Sequence, residues 1–362
     1  MGSVGKTGFE SGSSSLGAGL VMHIPDILID SRVAMATTVA GAAGLAYGLR
    51  RVERRHGERT TSLMGMMAAF VFAAQMINFP VGPGVSGHLL GGVLSAVILG
   101  PWAGAVVIAA VLIVQCLVFQ DGGVTALGSN FLNMGLIGSV GGYAIYSPIR
   151  KAIGGAKGVL AGSMIAAWFS VLLAAGAFSI ELAIGGGEHD FIRILTWMAL
   201  VHAVIGVGEA LITGLIVRFV LLTRPELIRD DEPVVEETDA APSAETSGKP
   251  GWLATLVAGL GISLAVAVFV SPFAYDAPDG LEYVGEKFEF LPDESHPPMI
   301  PSPMPDYQAP LPVSIPGLDA AKVATAAAGL AGTLIVFALA WSMSRAFSRG
   351  APKPGGTAAH VG

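Results

Sequence analysis

The chain has 362 residues, of which 52% are hydrophobic and only 13% charged, with a formal net charge of −7. A soluble domain carries about 25% charged side chains, so the composition excludes an ordinary soluble enzyme, and the acidic balance argues against a nucleic-acid binder, which shows a basic stripe. A single cysteine, Cys116, excludes an internal disulfide and the Cys-rich zinc sites.

Residues 1–21 are rich in Gly and Ser and include Gly5-Lys6-Thr7. A phosphate-binding loop needs a glycine five positions earlier and a preceding strand, and both are missing. The apolar part, Leu16 to Val21, is too short for a secretory core. The stretch is expected to be a disordered extension or a mis-assigned start, with the mature chain then beginning at Met22.

A transmembrane helix needs about 20 mostly apolar residues. Candidate spans lie near 33–49, 62–79, 87–99, 101–119, 130–148, 157–183, 195–222, 252–272 and 320–343, with Gly100-Pro101 closing the short third one. Residues 223–250 hold eight acidic and three basic side chains and no aromatics, and read as a flexible linker. The expected fold is all-α, a polytopic bundle of about seven helices over 22–222 plus a two-helix module over 251–345, with a tail over 346–362. The module carries the loop 273–318, whose acidic residues include Asp276, Asp279, Glu282, Glu286, Glu289, Asp293 and Glu294 against Lys287 alone. An acidic loop raises the local cation concentration.

Basic residues set the orientation. Arg50, Arg51, Arg54, Arg55 and Arg59 follow the first span, Arg150, Lys151 and Lys157 the fifth, and Arg345, Arg349 and Lys353 the last. With nine spans all three groups share one side, the cytoplasm. The N-terminus, the 80–88 loop and 273–318 then lie outside a plasma (inner) membrane.

Two histidines stand beside hydrophobic segments, in Met22-His23-Ile24-Pro25-Asp26 and Ser86-Gly87-His88-Leu89-Leu90-Gly91-Gly92. If Met22 is the first residue, its amine, the amide nitrogen of His23 and the His23 imidazole can lie in one plane around a metal. Square-planar nitrogen ligation suits Ni²⁺ or Cu²⁺, and Co²⁺ is accommodated. His88 is the candidate for the fourth position, because Gly82-Pro83-Gly84, Gly87 and Gly91-Gly92 permit irregular backbone where it lines a cavity. On the residues alone, each histidine reads equally well as a hydrogen-bonded boundary residue.

Several other side chains call for a reading. His202 and Glu209 are seven apart and share a helix face; pairing with neighbours is expected, with support of the metal ligands from behind or a proton route as the alternatives. Glu181, Glu188, His189 and Asp190 read as a solvated rim. Gln75, Asn78, Asn130 and Asn133 either orient ligand histidines or bond between helices. Ala36, Ala40, Gly44 and Gly48 form a small-residue face suited to a close helix contact. Met64, Met66, Met67, Met76 and Cys116 read as packing residues.

The first of these stretches, Met22 to Asp26, resembles the N-terminal signature of the CbiM/NikM family, the substrate-binding membrane subunits of energy-coupling-factor cobalt and nickel transporters. The similarity continues through Gln75-Met76-Ile77-Asn78-Phe79-Pro80-Val81, Ser86 to Gly92, Leu99-Gly100-Pro101-Trp102, Asp121-Gly122-Gly123 and Asn130-Phe131-Leu132-Asn133-Met134-Gly135. Pro278-Asp279-Gly280-Leu281-Glu282 resembles the PDGLE motif of the small CbiN/NikN partner, so the whole looks like a fusion of the two components. The resemblance implies Co²⁺ or Ni²⁺ as transported ligand rather than catalytic cofactor. It implies a metal held by Met22 (amine), His23 (amide and imidazole) and His88. It also implies a transmembrane coupling subunit and cytoplasmic ATPases as partners, with membrane lipid around the chain and no nucleic acid. As written, Met22 has an amide in place of the amine. No Walker A motif is present, so ATP hydrolysis belongs to the partners, and the absence of H-E-x-x-H speaks against a zinc protease. The alternative is a membrane metal sensor or assembly factor.

Overall fold

The computed structural model describes residues 23–53, 58–186, 190–228, 251–292, 299–310 and 317–348. The readings made for 1–21, Met22, Arg54, Arg55, Glu188, His189, most of 223–250, Asp293, Glu294 and the tail beyond Ser348 lie outside these residues. The architecture is an all-α bundle, as expected. Its elements are α1 (Ser31–Glu53), α2 (Glu58–Gln75), β1 (Phe79–Gly82), β2 (Val85–Gly87), α3 (Gly92–Leu99), α4 (Pro101–Val114), α5 (Leu127–Asn130), α6 (Gly142–Ile153), α7 (Gly155–Ile184), α8 (Phe191–Thr223), α9 (Trp252–Ala265), α10 (Gly280–Lys287) and α11 (Ala320–Ser348).

The centre is α3 and α4. Every residue of α3 is buried, as is nearly all of α4, which follows from their being apolar on all sides. The outer helices behave differently. Leu200, Val204, Val207, Leu211, Leu215, Phe219 and Leu222 of α8 are all exposed, at spacings of three and four that form one stripe along the helix. In water that stripe would be costly; in lipid it is the natural outer face. Among the described residues five stretches are long and apolar enough to cross a membrane: Pro101–Phe119, Gly155–Ile184, Phe191–Thr223, Trp252–Phe273 and Ala320–Ala346.

The expected first span, 33–49, lies within α1, and α2 covers most of the second; the third and fifth differ from the sequence reading. The third does not start at 87: α3 starts at Gly92, and residues 79–87 form an antiparallel hairpin that pairs Phe79 with Gly87 and Pro80 with Ser86. Pro80 and Pro83 lack the amide hydrogen a helix needs, and Gly84 adopts φ 70° in the turn. The fifth runs from α5 to α6 through a wide π-helical stretch, Phe131–Gly141. A similar stretch, Gln115–Phe119, ends α4, and Gln120 in the left-handed region turns the chain into Asp121; such wide turns concentrate at functional sites.

The C-terminal helices pack on the N-terminal bundle, with α11 and α9 both lying along α2. The small-residue face of α1 divides: Gly44 meets Leu136 and Gly48 meets Trp102 inside the bundle, while Ala36 and Ala40 are exposed. Cys116, Met64, Met67 and Met76 are buried packing residues, as expected.

Candidate metal centre

His23 and His88 stand 65 positions apart in sequence, yet their ring centres are 5.6 Å apart. Both are buried, at 2% and 8% exposure. Met22 lies outside the described residues.

The His23 segment is held by the loop after α4. Asp121 Oδ1 lies 2.8 Å from His23 Nδ1. Asn130 bridges the next residue, accepting the Ile24 N–H at 3.0 Å and donating to the Ile24 carbonyl at 3.1 Å. Gly123 donates its N–H to the same carbonyl at 2.9 Å, and Asp26 accepts from the Thr125 N–H and hydroxyl. This close approach explains the glycine pair. A Cβ on Gly122 would lie 2.9 Å from the His23 Cβ, and one on Gly123 would overlap the Asp26 backbone.

The His88 segment is non-helical and braced from two helices. Gln75 of α2 donates to the Leu90 carbonyl at 2.8 Å, and Glu209 of α8 accepts the Leu90 and Gly91 N–H groups at 2.7 and 3.0 Å. Glu209 thus pairs with neighbouring backbone and in doing so braces the His88 segment, while His202 Nδ1 lies 2.8 Å from the Met198 carbonyl. Gln75 and Asn130 serve the histidine segments, whereas Asn133 donates to Glu181 at 3.2 Å. Glu181 is 6% exposed and so does not belong to a solvated rim; Asp190 is exposed and caps α8.

The imidazoles share one pattern. Each uses Nδ1 for a fixed oxygen, Asp121 for His23 and the Leu89 carbonyl at 3.1 Å for His88. Metal-binding histidines are oriented in this way, with the second nitrogen left to the ion. His23 Nε2 is buried with no hydrogen-bond partner among the described residues. His88 Nε2 faces Asp279 at 3.6 Å. Burial alone would lower the His88 pKa, but the Asp279 carboxylate and the Leu89 carbonyl raise it to about 9.

Asp121 is the residue that sequence reasoning missed, although its Asp-Gly-Gly stretch was in view. Burial favours its neutral form, but His23 and the Tyr307 hydroxyl hold its pKa below the ordinary carboxylate value. Tyr307 donates to Asp121 Oδ2 at 2.5 Å, accepts from Gln115 at 3.1 Å and stacks on Phe119. No motif announces it. Among the described residues no three His, Cys, Asp or Glu side chains are already gathered at ligand spacing.

Residues 23–227 match the family profile described as the cobalt uptake substrate-specific transmembrane region, CbiM. The chain belongs to this family. Residues 253–349 match the PDGLE domain. A putative fused nickel transport protein NikMN of Archaeoglobus fulgidus is 35% identical over 331 residues, covering 90% of this chain and 98% of that protein. The cobalt transport protein CbiM of Geobacter sulfurreducens is 29% identical, covering 61% of this chain and 67% of its own length. A crystal structure of a truncated transition metal transporter, 30% identical, superposes with a TM-score of 0.50 over 56% of this chain and 99% of that one. The CbiM-family chain described here is therefore an integral membrane protein of a transport family.

If Asp121 orients His23, Asp121→Asn should weaken Ni²⁺ or Co²⁺ binding about tenfold, the low end of the range for losing such a partner. An amide oxygen still accepts from Nδ1 but carries no charge. Calorimetric titration of the purified protein measures the change, and an unaltered affinity would show that the contact is structural only.

Proposed function

We propose that the chain is the substrate-binding subunit of an energy-coupling-factor importer and captures Co²⁺ or Ni²⁺ from the external face at His23 and His88. The observation that carries this reading is the meeting of the two imidazoles. With metal–nitrogen bonds of about 2.0–2.1 Å, two rings on one ion have centres no more than about 6.4 Å apart, and these are 5.6 Å apart. The imidazoles are the constant part of the site. His23 Nε2 is the donor on this reading, with Nδ1 held by Asp121; a fused chelate through the Met22 amine and the His23 amide would close through Nδ1 instead, and metal held that way would bind no more weakly in Asp121→Asn.

The ion sheds water at an acidic approach, meets buried nitrogens and displaces the His88 proton. The orientation with the N-terminus outside and the C-terminus in the cytoplasm rests on the basic loops. Release to the cytoplasm is assigned to a coupling subunit and ATPases in separate chains. Cellular uptake of radioactive nickel or cobalt, with and without those subunits, tests transport directly; accumulation that ignores them would favour a binding protein that does not transport.

The PDGLE module, with its loop, loads the ion. Removing residues 252–343 should lower metal accumulation at least fivefold while the remaining bundle still inserts. Full accumulation by the truncated chain would remove the loading role.

A further inference from the structure

The PDGLE stretch is built into the bundle residue by residue. Asp279 caps α10: its Oδ1 accepts the N–H groups of Leu281 and Glu282 at 2.8 and 2.9 Å, and the Glu282 carboxyl accepts the Asp279 N–H at 3.1 Å. This reciprocal cap fixes the Asp279 side chain. Gly280 lies where a Cβ would come within 2.6 Å of Ile205 and 2.8 Å of His202, so glycine alone allows this approach to α8. Leu281 enters a buried cluster that also holds Ile24, beside His23. The Pro278 and Ala277 carbonyls accept the Ser86 N–H at 2.8 Å and its hydroxyl at 2.7 Å. The motif is thus fastened to the strand that ends one residue before His88.

The second oxygen of Asp279 has a different direction. Its Oδ2 stands 3.6 Å from His88 Nε2, with the two side chains 5% and 10% exposed. That is too long for a hydrogen bond. It falls within the range for two donors on one ion: with bonds of about 2.0–2.1 Å, ligands at right angles are about 2.9 Å apart and opposed ones about 4.1 Å. We propose that Asp279 Oδ2 is a metal ligand, a carboxylate donor from the C-terminal module that shares the transported ion with His88.

The proposal rests on the reading of His88 as a ligand and adds to it a donor outside the CbiM-like region. Imidazole and carboxylate together suit Co²⁺ and Ni²⁺. The carboxylate also supplies negative charge where a buried dication needs it. The ion draws the two groups together, and the site is complete only when the modules are docked.

The test uses the full chain in detergent micelles, titrated with Ni²⁺ or Co²⁺ alone, and the visible absorption of the Co²⁺ form. Asp279→Asn keeps the cap, because asparagine caps helices as well as aspartate. D279N should bind at least tenfold more weakly, and its Co²⁺ spectrum should change as a carboxylate ligand is lost. Wild-type affinity with an unchanged spectrum would overturn the proposal, and so would weaker binding with an unchanged spectrum, since a purely structural role moves affinity alone. His88→Ala, run in parallel, separates the two readings. If H88A loses the metal while D279N behaves as wild type, Asp279 is not a ligand and the histidine site stands. If H88A keeps the metal, the histidine site itself fails.

Discussion

Replacing His88 with alanine is expected to weaken Ni²⁺ or Co²⁺ binding by on the order of a hundredfold or more, with the helix content unchanged. Loss of a partner behind a ligand already costs about 10–100-fold, and removing the ligand itself costs at least as much. The bundle should survive, because the segment is braced by groups other than the imidazole. Gln75 holds the Leu90 carbonyl, Glu209 holds the Leu90 and Gly91 N–H groups, and Ser86 is tied to Ala277 and Pro278. The same variant carries a pH signature. With the His88 pKa raised to about 9, the metal competes with a proton at neutral pH, so wild-type binding tightens as pH rises toward about 9 and weakens as it falls. H88A should lose that component. Titration at several pH values, with circular dichroism as the folding control, measures both effects; stoichiometric metal in H88A would refute the site.

Glu209→Ala should act without touching the ion. The two backbone N–H groups that Glu209 accepts are in the segment immediately after His88, and Glu209 is fully buried. Alanine leaves both donors unpaired in an apolar interior, at about 1–3 kcal/mol each. The expected result is a marked fall in thermal stability and metal binding weakened about 30-fold or more, because the loop no longer holds His88 in place. Glu209→Gln retains one acceptor oxygen and should lose less. Thermal melting in detergent with parallel metal titration checks this, and E209A with wild-type affinity would show that α8 does not position the site.

Much of this was legible along the chain. The membrane class follows from apolar runs of bilayer length, and the late spans at 252–272 and 320–343 lie within the helical stretches that begin at Trp252 and Ala320. His23 and His88 stood out because an imidazole beside an apolar segment is costly to hide unless something uses it. The span ending at Leu99 starts at Gly92 and not at 87, since hydropathy averages over residues 87–91 and does not register that Gly91, in the left-handed region, is where the helix begins. Glu181 reads from the sequence as a rim residue because its position near a helix end says nothing of Asn133 opposite it.

What the sequence by itself determined is whatever depends on neighbours along the chain: helical membrane segments, their punctuation by glycine and proline, the PDGLE cap, and the residue types able to hold a divalent ion. What only the tertiary structure decided is which of them meet. Asp121 reaches His23 across 98 positions, Glu209 reaches Leu90 across 119, Tyr307 reaches Asp121 across 186, and Asp279 comes to face His88. The reason is physical: propensity and hydropathy act over a few residues, whereas burial of α3 and α4 beneath the surrounding helices draws distant polar groups into one low-dielectric interior, where each must find a partner.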